Sequence, residues 1–347
     1  MKRNLLLGVM YLATLAASAF NTIVLSHQGN QTFYDNGEFP AALAAAQDND
    51  TIFVPSMSIP GFTIERPITV MGTGEKTYIT GDVMITLPDS LTKISAALLD
   101  GVNVTGAVRV KRIANATGGW IRMTKMQNFD LTPEYESIPV KSFILERCHV
   151  AKYCNLSNAV HTLLQNCKVY ELYGLGTYEG SHNIDHSFIH SAYLRGDNNN
   201  STHFRGCIKN SIIYSAANAS GVGANVVTVI NSILLTSAYD FPSVWINYDS
   251  FRAGVTGTVC NTTTLDATEI VYEKLLAEGW KADDGTTIGS TGGSTPFTLE
   301  PSLPAVKTAS VLLDPENRTL NVKVNFTTPA VGTLSPVTPE ETEQPTE

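Results

Sequence analysis

Leu145-Glu146-Arg147-Cys148-His149-Val150 is followed by Leu164-Gln165-Asn166-Cys167-Lys168-Val169, Ile184-Asp185-His186-Ser187-Phe188-Ile189, Ile208-Lys209-Asn210-Ser211-Ile212-Ile213 and Val229-Ile230-Asn231-Ser232-Ile233-Leu234. From Arg147 the third position recurs after 19, 20, 24 and 21 residues, at Asn166, His186, Asn210 and Asn231. Self-similarity at a period near 20 marks a solenoid in which each copy is one coil. The copies are too short for a helix pair and rich in β-branched residues, so each reads as one coil of a parallel β-helix.

Equivalent residues of successive coils stack at the ordinary strand spacing, so the columns carry the information. The first column (Leu145, Leu164, Ile184, Ile208, Val229) and the last (Val150, Val169, Ile189, Ile213, Leu234) are aliphatic and predict inward positions. The second, Glu146, Gln165, Asp185, Lys209 and Ile230, is mostly polar and predicts a solvent face. The third carries Asn three times, and its amides are expected to bond to one another along the axis. The fourth, Cys148, Cys167, Ser187, Ser211 and Ser232, admits only small side chains, as a tight bend requires.

Such a stack needs lids at its ends. Glu38 to Gln47 reads as an Ala-rich helix with Pro40 in its first turn. Asp266-Ala267-Thr268-Glu269 has capping-box spacing and opens a helix to about Glu278, with Val271/Leu275 and Tyr272/Leu276 as i,i+4 pairs and Gly279 as the stop. The fold expected is therefore all-β: a single-stranded, right-handed parallel β-helix with an N-terminal capping helix and a C-terminal helix and closing segment.

Residues 1–19 read as a secretory signal, with Lys2 and Arg3, an apolar run from Leu5 to Ala17, and Ala17-Ser18-Ala19 as the cleavage site. No Cys follows to take a lipid anchor, and the run is too short for a membrane span. The expectation is a secreted or cell-surface protein without a transmembrane segment. Its β-helix covers 20–305, a hairpin 306–328 and an acidic Pro/Thr-rich tail 329–347. Without Lys2 and Arg3 the chain has 21 basic against 32 acidic residues, a charge near −11. That argues against nucleic acid and anionic membrane as partners. Five Cys without CxxC or Cys/His spacing read as buried free thiols.

The run from the Ala-rich helix through Asp50-Thr51-Ile52-Phe53-Val54-Pro55 to the Gly-rich bend near Gly72 resembles the start of pectate-lyase-like β-helix proteins. Asp283-Asp284-Gly285-Thr286-Thr287-Ile288-Gly289-Ser290-Thr291-Gly292-Gly293 resembles the closing motif of secreted β-helix proteins of Bacteroidetes. With the coils, the resemblance covers most of 32–305; it implies architecture and leaves activity open. Polygalacturonase-like hydrolases carry clustered aspartates on neighbouring coils, a Gly-His-Gly and an Arg-x-Lys. The coils here have no adjacent aspartates, the chain has no Gly-His-Gly, and Arg112-Ile113-Ala114 misses the Lys.

β-Elimination, the other chemistry of such enzymes, needs a cation at the uronate carboxylate and a base beside it. The insertion from Tyr193 to Gly206 supplies candidates: Arg195, Arg205 and His203 for catalysis, with Asp197, Asn198 and Asn199 as oxygens for calcium. His182, His186, His190 and His203 offer imidazoles for zinc or copper. Tyr170, His190 and Tyr214 share one column, and with Asp185 and Lys209 they form the candidate substrate face. The leading expectation is a monomer that binds a polysaccharide or another cell-surface partner without catalysis. A calcium-assisted polysaccharide lyase and a purely structural spacer are the alternatives.

Overall fold

A computed structural model describes residues 22–87, 97–110, 120–133, 140–156, 159–173, 181–193, 205–217, 226–236, 249–250, 258–298, 300, 306–314 and 319–326. The chain divides into two compact units, 1–303 and 304–347. The first is a parallel β-solenoid of about six turns. Each coil gives one strand to sheet A and, after a tight turn, one to sheet B. Sheet A begins with the antiparallel pair β1 (Ile23–His27) and β2 (Asn30–Tyr34). It then runs in parallel from Thr51–Phe53 to Val226–Ile230, and sheet B from Ser58–Ile64 to Asp249–Ser250. The second unit is a hairpin of Val306–Asp314 with Thr319–Phe326, pairing Val311 with Val322 and Leu313 with Leu320.

The aliphatic columns point inward. Leu145, Leu164 and Ile208 stack in sheet A, Val150, Val169, Ile189 and Ile213 in sheet B, all fully buried. Burial at roughly 25 cal/mol per Å² of apolar surface, repeated in every coil, is what holds the stack together. Helix α1 (Phe39–Ala45) puts Phe39 and Ala42 into the same core.

The turn between the sheets is built otherwise than the Asn column suggests. Its residues take positive φ: Lys125 52°, Arg147 53°, Asn166 52°, His186 42°, Asn210 50° and Asn231 45°, with Gly101 at 63° one coil earlier. Asn suits this left-handed geometry because its short side chain tolerates it. The Asn amides do not bond to one another along the axis; that ladder belongs to the next column. Ser187, Ser211 and Ser232 each donate Oγ–H to the carbonyl two residues back (2.9, 2.7 and 2.9 Å). Each accepts, at 3.1 Å, the backbone N–H of Cys167, Ser187 and Ser211 respectively on the coil before. A hydroxyl that donates and accepts at once leaves no buried N–H orphaned in the bend.

Helix α2 (Glu269–Ala277) ends where expected, at Gly279 with φ 77°. Val271 and Leu275 are buried, but Leu276 is 75 % exposed, so the Tyr272/Leu276 pair does not form a second apolar ridge. The capping box is not used either: Thr268 makes no side-chain cap and donates instead to the Thr258 carbonyl. Asp266 is buried and engaged elsewhere.

Candidate functional site

The site is set by a change of register in sheet B. On Val150–Cys154 three residues separate the two inward positions; on Val169–Leu172 and Ile189–Ala192 only two do. The outward residues of successive coils therefore fall into three columns. Tyr170, His190 and Tyr214 form one, Glu171, Ser191 and Ser215 the next, and Tyr173 with Tyr193 the third.

Rings spaced by one strand stack face to face. Tyr170 and His190 lie 4.7 Å apart at 20°, His190 and Tyr214 4.7 Å apart at 29°. Tyr173 and Tyr193 lie 4.4 Å apart at 9°. Tyr153 joins less regularly, at 5.9 Å and 49°, and is 47 % exposed. The first ladder is half-buried, and Tyr170 and Tyr214 lean on the cluster that α2 forms with Phe188, Ile212 and Ile233. Ladder rings use their faces on one another and turn edges and hydroxyls outward. After Tyr193 the next coil brings Ala217 into register, too short to continue the stack.

Between the ladders stands Glu171, which accepts a short hydrogen bond from the Tyr173 hydroxyl. Desolvation and the nearby carboxylate both raise the Tyr173 pKa. His190 Nδ1 lies 3.0 Å from Ser191 Oγ, and burial lowers its pKa against the pull of Glu171. Lys152, the exposed cation beside Tyr153, is paired with Asp130 at 3.5 Å. This arrangement presents rings, hydroxyls and one carboxylate.

Asp185 and Lys209 are not part of this face. They end strands of sheet A, across the turn. Asp185 bonds His186 Nδ1 (2.8 Å) and Asn210 Nδ2 (3.2 Å), and Lys209 pairs with Asp283 at 2.5 Å. Their charges serve the closing segment around Asp283 to Gly293, whose course along these turns is not readable from the repeat. Asn166 Nδ2 donates to the Ser290 and Gly292 carbonyls (3.2 and 2.7 Å), Asn210 Nδ2 to Asp283 (2.7 Å), and His186 Nε2 sits 3.6 Å from Asp284. A Cβ on Gly292 would come within 2.9 Å of the His186 ring, so the segment passes as closely as only glycine allows. Lys168 anchors it, pairing with buried Asp266 at 2.6 Å and lying 4.8 Å from the Phe297 ring centre.

Arg195, Asp197, Asn198, Asn199 and His203 lie outside the described residues; Arg205 opens a strand of sheet A opposite Val226, and only its backbone is described. His182, His186 and His190 fall on three different walls: His182 buried in sheet A beside Thr162 (3.1 Å), with its pKa lowered to about 4 by burial, His186 in the turn, His190 on sheet B. Among the described residues no three His, Cys, Asp or Glu side chains gather as a metal-binding group, and no helix is long and apolar enough to cross a membrane. All five cysteines are free, Cys207 half-buried and the others buried. Comparison with protein-family models, with curated proteins and with solved structures gave no match.

Proposed function

We propose that this is a secreted or cell-surface parallel β-helix protein that binds carbohydrate without cleaving it, on the outward face of sheet B. The observation that carries the reading is the pair of aromatic ladders flanking Glu171, Ser191 and Ser215. A sugar ring stacks on the ladder end at Tyr193, and its hydroxyls bond along the edges to Tyr173, Glu171 and Ser191. Glu171 and the charge near −11 favour a neutral glycan over a polyuronate. We take the solenoid to be right-handed, as parallel crossovers almost always are. Helix α1 is its N-terminal lid, a role supported by Phe39 and Ala42 in the core.

Affinity electrophoresis through gels of neutral and acidic polysaccharides tests the reading. A neutral polysaccharide is expected to retard the protein, and Tyr193→Ala and Glu171→Ala are each expected to restore free mobility. Retardation that survives both substitutions, or none anywhere in the panel, removes the proposal. An absorbance rise from unsaturated uronides that Arg195→Ala with Arg205→Ala abolishes makes the chain a lyase.

A further inference from the structure

The first sheet begins with an edge strand that lacks the usual protection. β1 and β2 pair from Ile23↔Tyr34 to His27↔Asn30 around Gln28 and Gly29, which have φ of 48° and 87°. Two positive φ values in a two-residue loop make a type I′ turn, whose flanking residues His27 and Asn30 exchange both backbone bonds. Alternation along an antiparallel ladder gives Leu25 with Thr32, and Ile23 with Tyr34, the same pattern. The N–H and C=O groups of Gln31 and Phe33 therefore point away from β1. Among the described residues no strand pairs with that edge. Asn30, Gln31, Thr32 and Phe33 are all exposed, Phe33 by 65 %. Edges are ordinarily blunted by Lys, Pro or a bulge, and β2 contains none of these and no charge at all.

We infer that β2 is a self-association edge, on which two copies of this chain pair antiparallel about a two-fold axis at Thr32. This departs from the monomer that the sequence suggests. The register sets Gln31 opposite Phe33 of the second copy, the two positions whose backbone groups point outward. Both then exchange N–H···O bonds, while Thr32 meets its counterpart in the close, non-hydrogen-bonded site. Like charges do not meet, because β2 carries none and Asp35, just past its end, falls beside the uncharged Gln28–Gly29 turn of the second copy. That matters for a chain with a net charge of −9. A second copy fits better than a foreign strand because a two-fold pairing closes and leaves no free edge, whereas an added single strand presents a new one.

Sedimentation equilibrium of the mature protein over a range of concentrations tests this. Gln31→Pro removes an outward N–H without touching the bonds to β1, and Phe33→Lys puts a charge on the edge. The wild type is expected to be dimeric at the higher concentrations, and each variant to raise the dissociation constant at least about tenfold. Unchanged melting by circular dichroism certifies that a variant is folded. Two substitutions acting through different physics keep the test standing if one of them unfolds. A wild type that stays monomeric throughout overturns the inference, as does a dimer indifferent to both folded variants.

Discussion

Asn210 has two tasks that different substitutions separate. Its backbone holds φ 50°, and its side chain bonds Asp283 and Asp185. Asn210→Gly keeps the backbone at ease and loses the side-chain bonds. Asn210→Val loses both and adds the strain of a branched residue in the left-handed region, roughly 1–2 kcal/mol. Denaturant midpoints should therefore fall in the order wild type, Gly, Val; a Val variant at least as stable as Gly contradicts the account. His186 fills the same position on the coil before and adds a titration. Burial pulls its pKa down, but the Asp185 hydrogen bond and the charges of Asp185, Asp284 and Asp283 outweigh this, and the net shift is upward from 6.5. A raised pKa contributes stability in full below the unfolded value, and the contribution is lost as pH rises through the folded one. Asp283 and Asp284 are shifted down, Asp283 chiefly by Lys209 and Asp284 by the Thr286 hydrogen bonds against the cost of burial. Their contribution disappears at acid pH, as they protonate. Melting temperature against pH should decline from weakly acid to weakly alkaline solution in the wild type and be flatter there in His186→Asn. The turn was legible from its three Asn residues and from Arg147 and His186 in the same repeat position; Gly101 and Lys125 were not, because nothing in those residue types announces a shared φ.

At the scale of elements the informative contact is the one between sheet B and α2. Along the outward column of sheet B, Asn103, Gln127 and His149 give way to Lys168, Phe188, Ile212 and Ile233. The polarity changes where α2 and the closing segment cover the sheet, burying Val271 and Leu275 of the helix and Ile288 of the segment against the apolar members. Lys168 stands at that border, and its partner Asp266 also accepts from the Tyr272 hydroxyl at 2.7 Å. Removing one member of a buried ion pair leaves the other charged and uncompensated, at a typical cost of 3–5 kcal/mol, while replacing both with apolar groups is often neutral. Lys168→Met is expected to destabilise by about 2–4 kcal/mol, since Tyr272 still serves Asp266, and Lys168→Met with Asp266→Leu to recover most of it. Equilibrium urea unfolding measures both, and a harmless single variant would mean that the helix does not dock through this pair. The sequence disclosed the helix through Val271, Leu275 and Gly279. It misread Asp266 as part of a cap, because cap spacing is local and the partner that claims the carboxylate stands about a hundred residues earlier.

The whole solenoid raises the question of how its coils communicate. In a plain stack each coil touches only its neighbours, so ends fray and stability is a sum of adjacent terms. The periodic columns disclosed that stack from sequence alone. They carried no trace of the C-terminal segment lying along the turn edge, because its contacts link Asn166 with Gly292, and Asn210 with Asp283, across separations of 126 and 73 residues. Contacts so distant leave no period to read. They also change the physics. A single stretch of chain bonded to the coils of Asn166, His186 and Asn210 ties the three together, and no one of them opens without breaking bonds that hold the others. Hydrogen exchange should therefore show the strands from Ala159–Gln165 to Ile212–Ala217 opening as one unit in the wild type. Gly292→Val, whose Cβ would run into the Thr287 carbonyl oxygen inside the segment and meet the His186 ring at 2.9 Å, is expected to open the segment's own turn and lift it from the coils. The strands should then separate into steps, with Arg205–Lys209 and Ile212–Ala217 losing protection before Ala159–Gln165. Were the variant to lose protection uniformly, or not at all, the coupling would reside in the stacked sheets and the C-terminal segment would be a passenger on them.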